Sequence, residues 1–491
     1  MTLSHKFLKF SVIEKFLIGW SMVLLFLVFF QWYELALGVF AFFPFLYLIF
    51  RSILDGTFEI RFLSIGYLGG QSLCWLIGFL GCLYILPLLG YPLVYLFNNV
   101  NGLPVKYTLV TMILVNLTMW GGLFGSQLAL IFQKKQSDTI RVSTMPIILV
   151  RNGIVLTAII FLVYLVSSYI GGSLSARTLI GSRLPVGSLL YWVTGLGGVS
   201  FLFFFFAGAY LCIPFFSLRN VMLLLILFLC MSLSGLTGGR GTSIQMLLFF
   251  LGGSFYSNIS PKKVTHLTLV LVPFVLAFLV VIGAARSENF TTDPFEQRLE
   301  KVWHTMTVTV PEQWKNRTYY FLRRIANDLA GQLVIDSVVE RQEYIGFRNF
   351  ERLATIFVPK FVIGDKASAD DGPERLRDDY GLLVTDFHSI PITFMADAFE
   401  RGGYFATFSC SFLLSFWLTL LGRFIWSLNW PLFRAVLMTS FAYHCLNIQT
   451  YSVIGTIREV TYTFVKDAIL MGGIVFFISF ISLHGTKTGK P

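Results

Sequence analysis

Charge is scarce in this chain. Of its 491 residues 13% are Asp, Glu, Lys or Arg, while 56% are hydrophobic. A chain so short of charge cannot clothe a water-soluble surface, so lipid is its main solvent. Cysteine is scarce too. The six (Cys74, Cys82, Cys212, Cys230, Cys410, Cys445) all lie inside apolar runs, which excludes a disulfide framework and zinc-ligand spacing and leaves small apolar packing residues. The six histidines are scattered without an H-E-x-x-H or similar cluster, so the sequence offers no metal site. No G-x-x-x-x-G-K phosphate loop is present.

The charge that is present is concentrated. Arg286 to Arg401 holds 34 of the 63 charged residues, 15 basic against 19 acidic, so it is net −4 and the rest of the chain carries +15, for an overall +11. Short loops between apolar runs carry most of that excess. This is the positive-inside pattern of a membrane protein and argues against nucleic acid as a partner.

Apolar runs of roughly 17–25 residues are long enough to cross a bilayer. They fall near 15–32, 34–50, 62–88, 107–132, 147–170, 187–213, 220–237, 243–259, 266–285, 402–422, 431–452 and 463–483. The expected fold is an all-α polytopic membrane protein of about twelve spans with one large, partly helical loop. Its parts are a membrane domain over 1–285, a loop domain over 286–401 and a second membrane domain over 402–491. The first apolar run lacks a small-residue cleavage pattern and is expected to be a span, not a removed signal. Cations such as Lys15, Arg51, Lys134, Arg219 and Lys263 place both termini in the cytoplasm and the charged island on the outer face.

Two glycine–arginine turns fall on that outer face: Ser234 to Gly241, containing Arg240, and Gly283 to Arg286. Backbone N–H groups in such turns approach a ligand closely, and a guanidinium offers paired donors to phosphate or pyrophosphate. Snorkelling to lipid headgroups is the plainer role for both arginines. Arg458 resembles them, although Glu459 beside it suggests a local salt bridge.

Within the island, Arg317 to Val339 reads as one helix. Leu322, Ile325, Leu329 and Leu333 lie on one face, with Arg323, Arg324 and Asp328 on the other. Trp303, Trp314, Tyr319, Tyr320, Tyr344 and Tyr380 offer flat faces suited to sugars or to a membrane interface. Gly364 to Gly381, rich in Asp, Gly and Pro, reads as a mobile loop whose Asp370–Asp371 and Asp378–Asp379 pairs are either solvated charge or a cation site.

Asp386-Phe-His388 and then Asp397, Glu400, Arg401, Gly402 and Gly403 lead into the next apolar run. Asp397 and Arg401 have the spacing of a helical ion pair. A carboxylate at that depth is costly unless paired or used. His388, Asp397 and Glu400 are the candidate bases, and spacing does not choose between them.

The order of these elements resembles the O-antigen and exopolysaccharide repeat-unit polymerases, the Wzy-type membrane glycosyltransferases. The likeness rests on Leu236–Thr242, on Phe347–Lys366 with its Val-Pro-Lys-Phe-Val-Ile-Gly-Asp-Lys run, and on His388–Phe405. It implies a GT-C-like helical fold in a bacterial inner membrane. The implied enzyme is a metal-independent inverting transferase that moves a growing glycan from undecaprenyl pyrophosphate onto the next lipid-linked repeat unit. It would use no nucleotide sugar and no other cofactor, and would partner with a chain-length regulator of the polysaccharide co-polymerase type. In that reaction Arg240 and Arg286, then Arg324, Arg401 and Arg458, would bind pyrophosphate or glycan. Asp397, Glu400 or His388 would take the acceptor proton. A ligase-like glycan transferase has the same outline. A polysaccharide or lipid transporter would instead carry ionisable residues deep in its spans, where this sequence shows mainly amides such as Gln71, Asn116, Gln127 and Asn447.

Overall fold

In lipid a backbone must satisfy its own hydrogen bonds, so apolar runs either form helices or do not cross. The computed structural model describes residues 12–93 (30 and 56 apart), 104–131, 145–170, 200–211, 217–236, 240–271 (258–262, 265 and 269 apart), 295–307, 311–355, 371–381 and 392–485. These residues are helical, without a β-sheet among them.

Six of the described helices are long and apolar enough to cross a membrane: Tyr33–Leu54, Phe58–Leu88, Thr108–Ile131, Ile147–Tyr164, Phe394–Trp426 and Val453–Ser482. The chain is a multi-span membrane protein, but among the described residues the expected twelve-span architecture is corrected to these six. The apolar runs near the N-terminus and near 220–237 and 243–259 lie on the helices Val12–Phe29, Leu218–Leu236 and Arg240–Ser254, whose apolar stretches are Gly19–Phe29, Leu218–Ser232 and Thr242–Ser254. The run near 431–452 gives a helix of 17 residues, Pro431–Asn447, which carries Arg434 and His444 and ends in a 3-10 turn. The runs near 187–213 and 266–285 lie largely outside the described residues.

The chain divides into two compact units. The first comprises Met1–Ser137, Leu322–Phe424 and Cys445–Arg458. Lipid tails are as apolar as leucine, so helices there associate through close packing and hydrogen bonds. Gly121 and Gly125 lie one turn apart on the 108–131 helix. A Cβ at Gly121 would stand 2.7 Å from the Phe408 carbonyl oxygen, and one at Gly125 would collide with that of Phe412. Hydroxyl groups close this seam and that between the Phe58–Leu88 and Phe394–Trp426 helices. Ser411 donates to the Thr118 carbonyl at 2.6 Å, Tyr67 to Ser411 at 2.8 Å, Thr419 to Ser126 at 2.9 Å and Ser64 to the Ser415 carbonyl at 2.9 Å.

The island contributes its own layer to this unit. The single helix expected over Arg317 to Val339 is broken by a 3-10 turn at Asn327–Leu329, where Asn327 and Leu329 take positive φ of 51° and 64°. A new helix, Ala330–Arg341, follows. Arg323, expected on the face opposite the apolar residues, is buried. Leu322 and the Ile325–Ala326 backbone press against Gly81 and Gly78 of the Phe58–Leu88 helix, beside its π-helical stretch Ser72–Phe79. The expected mobile loop is ordered over residues 371–381, where Gly372–Asp378 forms a short helix.

The second unit comprises Asp138–Phe321, Ile425–His444 and Glu459–Pro491. Its core is aromatic: Phe161 stacks on Phe203 at 5.5 Å, and Phe204, Phe205, Phe206, Phe249 and Phe250 are buried with them.

Replacing Gly125 with leucine should separate the 108–131 and 394–426 helices. Thermal unfolding in detergent micelles is expected to shift down by several degrees, as for a strained core site costing about 1–3 kcal/mol. Leucine at lipid-exposed Phe124 should leave the transition where it is.

Candidate functional site: a buried charge cluster at the end of a span

The helix Phe394–Trp426 is interrupted at Gly402 (φ −168°, ψ 31°) and Gly403 (φ 68°, ψ −153°). The second conformation is open essentially to glycine alone, and a Cβ there would also meet the Tyr344 hydroxyl at 2.8 Å. After the break, residues 404–426 extend for about 35 Å, enough alone to cross the ~30 Å hydrocarbon core. Asp397, Glu400 and Arg401 therefore belong to the polar end of this span, not its interior.

The break would orphan the last carbonyls of the 394–401 segment. The turn after Ala330–Arg341 satisfies them: Ile345 N–H donates to Glu400 O at 3.0 Å and Gly346 N–H to Arg401 O at 3.2 Å. Arg401 returns the contact by donating to the carbonyls of Gly346 at 3.2 Å and Arg348 at 2.8 Å. Its guanidinium also lies over the Phe350 ring at 5.0 Å.

The expected helical ion pair forms, with Arg401 Nε 2.9 Å from Asp397 Oδ2. It is one edge of a larger cluster. Arg375, on the short helix Gly372–Asp378, pairs with Asp397 through one amino group and with Glu400 through the other. Asp371 binds Arg401 at 3.2 Å and Arg375 at 3.4 Å, and accepts from Asn349 at 2.9 Å. Tyr380 donates to Glu400 Oε1 at 2.7 Å, and the Val453 N–H to Asp397 Oδ2 at 2.6 Å. Asp371, Arg375, Asp397, Glu400 and Arg401 are all buried. Three carboxylates against two guanidiniums leave one excess negative charge.

Burial disfavours charge on Arg375, yet Asp397, Glu400 and Asp371 together hold its pKa above the ordinary arginine value. Burial also opposes ionisation of Asp371, but Arg375, Asn349 and Arg401 hold its pKa below the usual carboxylate range. The Tyr380 hydroxyl is pushed up by burial and by the neighbouring Glu400. Around the cluster, exposed Arg348 forks onto Asp379 at 3.0–3.2 Å and Arg352 onto Glu374 at 2.8–3.1 Å. Asp378 pairs with Arg377 at 2.8 Å. The Asp378–Asp379 pair is thus engaged by arginine, and no metal-holding group of side chains occurs among the described residues.

Of the residues singled out from sequence, the structure brings Asp397, Glu400 and Arg401 together. Arg458 is half-buried at the end of Val453–Arg458. The adjacent Glu459 bonds to His444 and Thr463. Arg240 begins the helix Arg240–Ser254, and Arg324 lies in Pro311–Ile325; both side chains are outside what is described. Arg286 and His388 lie outside the described residues. Sequence reasoning missed Arg375, Asn349 and the role of Tyr380. The available signal was the Asp371–Arg375 spacing, a helical ion pair inside a stretch read as a loop.

No protein-family model, no curated protein and no solved structure matches this chain.

A second carboxylate positions the same layer. Asp336 accepts from the backbone N–H groups of Lys106 at 2.9 Å and Tyr107 at 3.0 Å, at the start of the 108–131 helix, where negative charge is favoured. It also accepts from Gln332 at 2.6 Å.

Two outcomes are expected. Arg375→Ala leaves three buried carboxylates with one partner, a loss of about 3–5 kcal/mol for a broken buried pair. Hydrogen exchange at 344–350 and 394–401 should rise sharply, with Arg375→Lys intermediate because an ammonium cannot fork. Burial pushes the Asp336 carboxyl up to about 6, against about 3.9 for an unfolded chain. The folded state therefore holds a proton that the unfolded chain releases. This contribution is complete below that unfolded value and is lost as pH rises through the folded one. The thermal stability of Asp336→Asn should lack that downward slope when its pH profile is compared with wild type.

Proposed function

We propose that this chain transfers lipid-linked glycans as a repeat-unit polymerase, on the outer face of a bacterial inner membrane. The observation that carries the reading is the folded charge cluster at the end of a span, set off by Gly402–Gly403. Its Asp397, Glu400 and Arg401 fall within His388–Phe405, one of the three segments in which the chain resembles that family, and it draws in part of a second, through Asn349.

In this reading the leaving group is a prenyl pyrophosphate, on which negative charge grows as the glycosidic C–O bond breaks. Arg240, Arg286 and Arg324 stabilise that charge, most strongly in the transition state. The acceptor hydroxyl attacks the anomeric carbon and loses its proton, and single displacement inverts the configuration. A base needs an open lone pair aimed at substrate. Asp397 and Glu400 are buried and turned to Arg375 and Arg401, so here they are positioning residues. The base is then His388. Exposed Tyr344, Phe347, Tyr404 and Phe405 flank the cluster and supply faces on which sugar rings stack.

The protein in lipid nanodiscs, given lipid-linked repeat units alone, should produce ladders of products. Arg240→Ala and Arg286→Ala should abolish them without affecting insertion, and His388→Ala should slow them by about 10²–10⁴-fold. A cysteine placed at 340 should react with impermeant reagent from outside the cell. Full-length ladders from both arginine variants, or labelling at 340 only from the cytoplasm, would retire the proposal. Product that forms only when a separate acceptor lipid is added would identify a ligase-like transferase.

A further inference from the structure

The second unit holds an ionisable constellation hidden in apolar sequence, where mainly amides were expected. His444, on the helix Pro431–Asn447, places Nδ1 2.5 Å from Glu459 Oε1 and Nε2 2.9 Å from Asp467 Oδ2. Ser440, one turn before His444, donates to the same Asp467 oxygen at 3.1 Å, and Thr463 donates to Glu459 Oε2 at 3.0 Å. Ser440, Glu459, Thr463 and Asp467 are buried. The histidine is also enclosed: its ring meets those of Tyr443 at 5.6 Å and Phe464 at 5.8 Å. Glu459 and Asp467 are eight positions apart, which on a regular α-helix would set them about 80° apart around the axis. The residues from Glu459 to Thr463 form a π-helical turn instead. Its wider winding takes up that offset and turns both carboxylates to the histidine, and such turns are frequent at functional sites.

The proton count follows from the geometry. An ionised carboxylate can only accept, so each ring nitrogen facing one must carry a proton. With both carboxylates ionised, the two contacts together hold an imidazolium between them, with one net negative charge. Among the described residues, Lys466 also faces the trio, with its Nζ 3.9 Å from Asp467 Oδ1 and its side chain half-exposed. Ionisable side chains among membrane helices mark ion or proton pathways more often than packing. The ring nitrogens are occupied by these hydrogen bonds, and no metal-holding group occurs among the described residues.

We propose that His444, Glu459 and Asp467 form a proton-binding site within the membrane part of the second unit, and that the bound proton joins the 431–447 helix to the 459–467 segment. Loss of the proton to water leaves a neutral ring. One nitrogen lone pair then faces a carboxylate, so that contact opens. The site stands apart from the glycan-transfer reading and would serve any step that must be coupled to proton uptake or release.

The test uses the full chain in nanodiscs with ¹⁵N-labelled histidine. At neutral pH one of the ring systems should have both nitrogens protonated, and His444→Gln should remove that signal alone. Asp467→Asn and Glu459→Gln, which keep shape and lose charge, should each return the ring to the singly protonated form. Spin labels on the two helices should move apart in alkaline buffer in the wild type and stay put in Glu459→Gln. A neutral His444 ring at neutral pH, or a label distance indifferent to pH in the wild type, would overturn the proposal.

Discussion

Arg375 carries its charge where water cannot reach, and the arrangement of three separate chain segments depends on that. A buried guanidinium costs several kcal/mol unless its partners are fixed in place. Here the partners come from Asp371, on its own short helix, and from Asp397 and Glu400 at the start of a membrane helix. None of the three can move independently without exposing a charge to a medium that does not solvate it. The break at Gly402–Gly403 completes the constraint, because the carbonyls it frees are met by the Ile345 and Gly346 N–H groups. The 344–350 turn, the 372–378 helix and the 394–401 segment are thus one object. Such a network specifies an arrangement more than it adds net stability.

The membrane part of the first unit solves a different problem. Hydrophobicity puts helices into lipid but does not tell them which neighbours to choose. Close approach at Gly121 and Gly125 and a file of hydroxyl bonds from Ser64, Tyr67, Ser411 and Thr419 make that choice. In the second unit, shape-matched phenylalanine rings take this role. The π-helical turn at Glu459–Thr463 diverts the pattern locally, and it coincides with the buried histidine and its two carboxylates.

In the proposed glycan transfer the cluster changes the division of labour. Carboxylates that seemed suited to proton abstraction are committed to arginines, and so hold a surface rigid instead of reacting with it. Preorganisation of this kind is what electrostatic stabilisation of a developing charge requires, since a floor that rearranges during the reaction loses the benefit. The aromatic side chains left exposed beside it have the flat faces that sugars need.

Composition by itself determined that the chain lives in lipid, that its polar chemistry is gathered in one island, and that Asp397 and Arg401 pair. These properties depend on local residue counts and on the helical repeat. Tertiary structure decided the rest. A hydropathy window does not register where a helix ends, so it marked twelve runs where six described helices are long and apolar enough to cross a membrane. Nor does periodicity register a left-handed residue such as Leu329, which splits one expected helix into two. Arg375 reaches partners 22 and 25 positions away, and His444 partners 15 and 23 away. At such separations no spacing rule operates. Whether a charge is solvated, paired or buried is settled only when folding brings distant segments together.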